Sequence, residues 1–138
     1  MALVLDTGPV LALMDADDPA HERCVGLVEG LDESLVVPAV LLGEVDYWCR
    51  KLLGLDVWEQ FLDDLAGGAY RLYELDASGY RRAGELERRY ANLDLGLVDA
   101  AVITVCEELA ETKVATLDRR DFSLVQPRHC PALTLLPD

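Results

Sequence analysis

The chain has 138 residues, and 26 acidic against 12 basic side chains leave a formal net charge of −14. That length suits one domain around a single core, and an apolar fraction of 51% excludes a disordered acidic tail. A basic face for nucleic acid or anionic lipid is excluded as well, because this surface would repel phosphates at long range.

In chain order, Ala2-Leu3-Val4-Leu5 is a continuously apolar run of the kind found in a strand covered on both faces. Thr7-Gly8-Pro9 opens a helix, since proline suits the first helical position. Asp18-Pro19 predicts the start of a second helix, with Cys24, Leu27, Val28 and Leu31 at helical spacing. Leu35 to Val37 reads as a second strand, ended by Pro38. A long helix follows, with Leu41, Val45, Trp48 and Leu52 on one apolar stripe, until Gly54. Asp56-Val57-Trp58-Glu59 has the form of a capping box for a helix to about Ala66, which Gly67-Gly68 stops.

Ala69 to Leu75 alternates as a strand does, and Asp76 caps a helix running to Tyr90. Asn92 to Gly96 is a connection, and Leu97 to Leu109 is the most apolar helix. Lys113 to Leu117 is a strand, Asp118 to Ser123 a polar turn, and Leu133 to Leu136 a last edge strand. Strands alternating with helices predict an α/β fold with a mainly parallel sheet, and residues 1–138 read as one domain without repeats or linkers.

The N-terminus lacks a basic stretch and its apolar run breaks at Asp6, so no signal peptide is expected. The longest charge-free apolar stretches reach about half of the ~20 residues that a membrane span needs. Cys24, Cys49, Cys106 and Cys130 lie far apart, without CxxC or histidine at zinc spacing, and read as small hydrophobes in a reducing cytoplasm.

Most of the acids are caps or solvated helix faces. Asp15, Asp17, Asp18, Asp32, Glu33, Asp56 and Asp76 fall at helix starts or turns. Asp63, Asp64, Glu85, Glu87, Glu107, Glu108 and Glu111 fall on polar faces. Arg81, Arg82, Arg88 and Arg89 are interleaved with glutamates and read as a salt-bridged solvent face. His21 and His129 stand alone. Trp48, Trp58 and Tyr47 could serve a groove or a dimer contact, although aromatics at helical spacing are more often core.

Four acids depart from this. Asp6 and Asp118 each end a strand, where the carboxyl ends of a parallel sheet form a ligand crevice. Singly, each reads equally well as a turn aspartate. Asp99 lies in the first turn of a helix apolar nearly all round, where a carboxylate needs a partner or a metal. The bland alternative is an acid facing the positive helix end. Glu44 stands at the edge of its helix's apolar stripe, as a surface residue or a ligand equally. Converging carboxylates without histidine or cysteine make a hard-oxygen site suited to Mg²⁺ or Mn²⁺, whose usual work is phosphodiester hydrolysis.

The ordered set Leu5-Asp6-Thr7, Glu44, Gly96-Leu97-Val98-Asp99-Ala100 and Thr116-Leu117-Asp118-Arg119-Arg120-Asp121-Phe122 resembles the PIN-domain ribonucleases, and within them the VapC-type toxins of toxin–antitoxin pairs. The resemblance spans Ala2 to about Phe122; its order and context are more specific than any one motif. It implies a PIN-like three-layer α/β/α fold with four to five strands in the central sheet. It also implies Asp6, Glu44, Asp99 and Asp118 as catalytic, Mg²⁺- or Mn²⁺-binding acids, with Thr7, Thr116 and Asp121 in support. Arg119 and Arg120 would contact RNA. The implied partners are an RNA substrate, a small VapB-like antitoxin and a second copy in a homodimer, with no membrane. Gly8 departs from the serine that many relatives carry.

Two rival readings remain at this stage. Asp6-Thr7-Gly8 matches the triplet of aspartic proteases, whose nearly all-β fold the long helical segments contradict. A PIN-like module that binds RNA or protein without cutting is the other.

Overall fold

The apolar run Ala2–Leu5 forms β1, every residue of it buried, in a computed structural model that describes residues 1–138. β1 is the middle strand of a five-stranded sheet. The chain leaves it through α1 (Thr7–Met14) and α2 (His21–Gly30) to β2 (Ser34–Pro38). A short 3₁₀ turn, α3 (Leu42–Leu52) and α4 (Leu55–Ala66) lead to β3 (Arg71–Tyr73). Then α5 (Ala77–Arg89) and α6 (Leu97–Leu109) carry it to β4 (Lys113–Ala115), and α7 (Arg119–Leu124) precedes β5 (Thr134–Leu136).

The strand order is β3-β2-β1-β4-β5 and every pairing is parallel. From β1 the chain winds outward to β3, then returns past β1 to wind outward the other way. Connections from β1 and β4 therefore diverge, and their carboxyl ends border the open crevice of the sheet. Register puts Leu5 beside Ala115, so the residues that follow, Asp6 and Thr116, emerge side by side.

α6 packs across β1 and β2 and carries α5 on its flank. Ala100 to Cys106 are all buried, consistent with a helix enclosed on every side. Phe61 of α4, also buried, stacks with Trp58 and tilts against Tyr70, with ring centroids 5.7 and 5.3 Å away. Cys24, Cys49 and Cys106 are buried, Cys130 is half-buried, and all four are free thiols. No helix is long and apolar enough to cross a membrane.

Several expectations shift. α2 begins at His21 instead of Asp18-Pro19, because the Asp18 carboxylate accepts from the Ala20 amide at 2.8 Å and closes a turn first. Gly54, at φ 99°, stands at the cap position of α4, so Asp56 falls inside the first turn and caps nothing. Asp76 does cap α5, accepting from the Gly79 amide at 2.9 Å. The strand expected over Ala69 to Leu75 contracts to Arg71–Tyr73. The polar turn expected over Asp118 to Ser123 is the helix α7, held down by buried Phe122. Three adjacent charges at its start hide that single apolar anchor.

The inner face of α3 is Val45 and Cys49, while Trp48 and Leu52 are 40% and 64% exposed. Glu107 is not solvated. It takes the Arg82 guanidinium on both oxygens, at 2.9 and 2.8 Å, and accepts the Arg128 amide. Burial raises its pKa, but Arg82 and that amide outweigh burial and hold the carboxyl below its usual range.

Candidate metal centre

Asp6 leaves β1 with extended backbone (φ −87°, ψ 172°) in the position that caps α1, yet makes no capping bond. Its amide donates to Ala115 O at 2.9 Å, which ties the end of β1 to β4. The buried carboxylate accepts instead from the Thr116 hydroxyl, at 2.9 Å. That hydroxyl in turn accepts from the Asp118 amide at 3.0 Å. One side chain thus orients both strand-end acids, and its single proton points at Asp6. Burial raises the Asp6 pKa foremost, the Thr7 amide and Thr116 hydroxyl pull it down, and the Glu44 and Asp118 charges push it up, leaving it raised.

Asp99 enters from the first turn of α6. A helix N-terminus alone would lower its pKa. The pKa is instead raised from 3.8 to about 7, by burial first and then by Asp6, Asp118, Asp121 and Glu44. Burial, with the crowding of like charge added to it, therefore outweighs the helix dipole. Carboxylate oxygens of Asp99, Asp118 and Asp121 all lie within 4.8 Å of one another. Asp121 thus stands inside the acid cluster, although sequence reasoning gave it only a supporting place. The position of α7 accounts for this, because its first turn brings Asp121 back over Asp118.

Beside this group a cleft of about 900 Å³ opens at the carboxyl end of β1. Asp6, Glu44, Asp99 and Asp118, the quartet expected from the sequence, all border it, and of the four Asp99 and Asp118 belong to the close carboxylate group. Glu44 is its exposed member, projecting from the first turn of α3. Asp94, in a left-handed turn at φ 55°, also borders the cleft and had no sequence signal beyond its place in a connection. Trp48 borders it too. The sequence left a groove or a core place open to it, and its spacing of one turn after Glu44 is the signal that favours the groove.

Thr7 lies beside Asp6 and lines the cleft, and its buried hydroxyl has no hydrogen-bond partner. An orphaned buried oxygen costs about 1–3 kcal/mol unless something meets it. With surrounding donors that are all oxygen and mostly anionic, the group that would meet it is a hard divalent cation.

Neither Arg119 nor Arg120 lines the cleft. Arg119 donates from Nη1 to the Leu135 and Pro137 carbonyls, at 3.2 and 2.9 Å, tying α7 to the last strand. Arg120 makes no ion pair. At Gly8 a Cβ would lie 3.3 Å from the Leu117 side chain, a tight contact that Leu117 would have to relieve by a few tenths of an ångström to admit a serine. Asp6-Thr7-Gly8 follows a parallel strand and opens a helix, which is not the all-β setting of an aspartic protease.

The family model described as PIN domain matches residues 3–126. The chain is 30% identical over 135 residues to "Ribonuclease VapC26" of Mycobacterium tuberculosis, covering 98% of this chain and 100% of that protein. Its fold is similar to the crystal structure of Mycobacterium tuberculosis VapC20, a "Sarcin-Ricin loop cleaving toxin". There the TM-score is 0.78 at 18% identity, over 85% of this chain and 90% of that one. It is also similar to VapBC2 from Rickettsia felis bound to a promoter DNA fragment, at TM-score 0.70, 15% identity, and 99% and 98% coverage. A toxin–antitoxin complex from Klebsiella pneumoniae gives TM-score 0.70 and 15% identity, over 96% of this chain and 99% of that one.

Proposed function

This chain belongs to the PIN-domain family, in its VapC branch, and on that premise we propose that it is a Mg²⁺-dependent endoribonuclease of the toxin type. Residues 1–138 act as one unit in the cytoplasm, and Mn²⁺ substitutes for Mg²⁺. The observation that carries the reading is the convergence of the Asp99, Asp118 and Asp121 carboxylates beside a cleft that Asp6 and the orphaned Thr7 hydroxyl line.

Asp6, Glu44, Asp99 and Asp118 are the residues that would hold the ion, and the donor set fits Mg²⁺ or Mn²⁺. A divalent ion bound there supplies a water of lowered pKa and offsets charge on the reacting phosphate. Thr116 holds Asp6 and Asp118 in fixed orientation, so little rearrangement is needed when substrate arrives. Asp121 adds a third carboxylate next to Asp99 and Asp118, and Thr7 offers a neutral oxygen. Arg120 is the free basic side chain flanking this cluster, and we assign it to the RNA backbone. Arg119 is assigned to holding α7 in place, which positions Asp118 and Asp121 on either side of it.

The partners under this proposal are an RNA substrate, a small antitoxin of VapB type and a second copy of the chain. The names of the Rickettsia and Klebsiella relatives, a VapBC pair and a toxin–antitoxin complex, support the antitoxin. The test is cleavage of RNA by the purified chain in Mg²⁺ and in EDTA, for the parent, Asp6→Asn and Asp99→Asn. Cleavage is expected only for the parent with metal. Equal cleavage in EDTA, or full activity in both variants, would sink the proposal.

A further inference from the structure

The lining of the cleft is chemically one-sided. Asp6, Glu44, Asp94, Asp99 and Asp118 supply its charge, and no lysine or arginine borders it. The remainder is largely apolar, including Leu11, Trp48, Leu52 and Leu97. At about 900 Å³ it has the capacity of a pocket for a drug-sized ligand, well beyond one cation and one phosphate. A protein of charge −14 with such a cleft cannot hold RNA by its phosphates alone. Whatever holds the strand must offer uncharged surface.

We propose, building on the ribonuclease reading, that Trp48 is the stacking platform for an unpaired nucleobase flanking the scissile phosphate. Glu44 and Trp48 are one helical turn apart on α3 and border the same cleft. The indole is 40% exposed, unlike Trp58, which is stacked on Phe61. It is also braced. The Tyr47 ring meets it edge-on, with centroids 5.1 Å apart and planes at 85°. The Lys51 ammonium sits 5.4 Å from the Trp48 centroid and 5.5 Å from that of Tyr47. A braced aromatic face loses little side-chain entropy when a base stacks on it. The neighbouring ammonium adds a positive charge that the lining lacks. A base lying on this face would set its sugar–phosphate link toward Glu44 and the acid cluster.

The decisive experiment couples the protein side chain to the base. A cleavage site is mapped by sequencing the ends of digested total RNA, and a short single-stranded RNA spanning that site serves as probe. Abasic ribonucleotides then replace each position in turn, and KM and kcat are measured for the parent, Trp48→Ala and Trp48→Phe. Trp48→Ala is expected to raise KM roughly 10- to 100-fold, the scale of one stacked base, with kcat changed by less than about threefold. Trp48→Phe should recover most of the loss, which a purely structural role of the indole would not require. One abasic position beside the cut should raise KM equally in the parent and add nothing in Trp48→Ala.

Abasic and Trp48→Ala effects that simply multiply at every position would overturn the stacking assignment, while the ribonuclease reading stands on the parent's cleavage. An unchanged KM in Trp48→Ala would overturn it as well. So would a Trp48→Ala chain that changes its oligomeric state, or loses the antitoxin, with its abasic profile unaltered; the indole would then belong to a protein interface. A parent that cuts no RNA in Mg²⁺ would overturn the ribonuclease reading itself and the platform with it.

Discussion

Replacing Asp99 by Asn removes one charge from the acid cluster while keeping the side chain's shape, and the structure sets the size of the result. The Asp99 pKa rises from 3.8 to about 7 under burial and the charges of Asp6, Asp118, Asp121 and Glu44. Each pKa unit corresponds to about 1.4 kcal/mol, so the full shift has an upper limit near 4 kcal/mol. The carboxylate is partly open to solvent, and screening reduces that to about 1–2 kcal/mol. Between the unfolded and folded pKa values the folded chain keeps a proton that the unfolded chain releases. Stability of the metal-free parent therefore falls as pH rises from about 4 to about 7.

Asp99→Asn escapes that loss. In EDTA at pH 8 its melting temperature should exceed the parent's by roughly 3–8 °C, and at pH 4 the two should coincide. Mg²⁺ at ten times its Kd should then stabilise the parent by about 1.4 kcal/mol and the variant hardly at all. Thermal melts across pH, with EDTA or Mg²⁺, read all of this, and RNA cleavage in parallel should be lost. A variant less stable than the parent at pH 8 in EDTA, or a difference unchanged at pH 4, would refute the crowding argument.

Thr116→Val removes the hydroxyl between Asp6 and the Asp118 amide, and should lower cleavage by about 10- to 100-fold while costing roughly 1–3 kcal/mol of stability. Thr116→Ser should restore both, as cleavage kinetics and melts will show. Arg82→Ala strands the largely buried Glu107 carboxylate and should cost about 2–4 kcal/mol in denaturant unfolding, with cleavage per folded molecule unchanged. Because the Glu107 pKa is depressed, the contribution of this pair is present above the ordinary carboxylate range and lost as pH falls through it, so the cost should shrink in acid. Gly8→Ser forces the Leu117 side chain away from a 3.3 Å contact and should lower the melting temperature, and Leu117→Ala in the same chain should recover the difference. Arg119→Met frees α7 from the Leu135 and Pro137 carbonyls and should lower kcat with little change in KM for RNA, since the side chain orients acids without lining the cleft.

Distance from the acid cluster explains how the surface charge and the site coexist. Most acids face solvent, and removing Asp6, Glu44, Asp99 and Asp118 from the count still leaves −10. Repulsion of RNA therefore belongs to the surface as a whole. At the cleft, the divalent cation of the proposed function would offset part of that charge where the phosphate has to approach.

Local pattern determined much of this protein. A run of four apolar residues at Ala2–Leu5, too short for a helix and broken at Asp6, reads as a strand covered on both sides, and the helical periods between strands make the sheet parallel. Asp99 announced itself because a carboxylate inside the Leu97–Leu109 helix conflicts with its surroundings, and that conflict is visible in one turn of sequence. What stayed hidden depends on which faces the fold covers. Whether Asp6 meets Asp118 is decided by β4 pairing with β1, a contact between residues more than a hundred positions apart. Asp121 joins the cluster because Phe122 anchors α7, and Arg119 is withdrawn from the cleft by carbonyls at the chain's end. Trp48 has the spacing of a core residue, and only the packing of α3 through Val45 and Cys49 leaves it facing the cleft. Periodicity states that a helix has an apolar side; tertiary packing selects which of those residues it buries and which it leaves for a ligand.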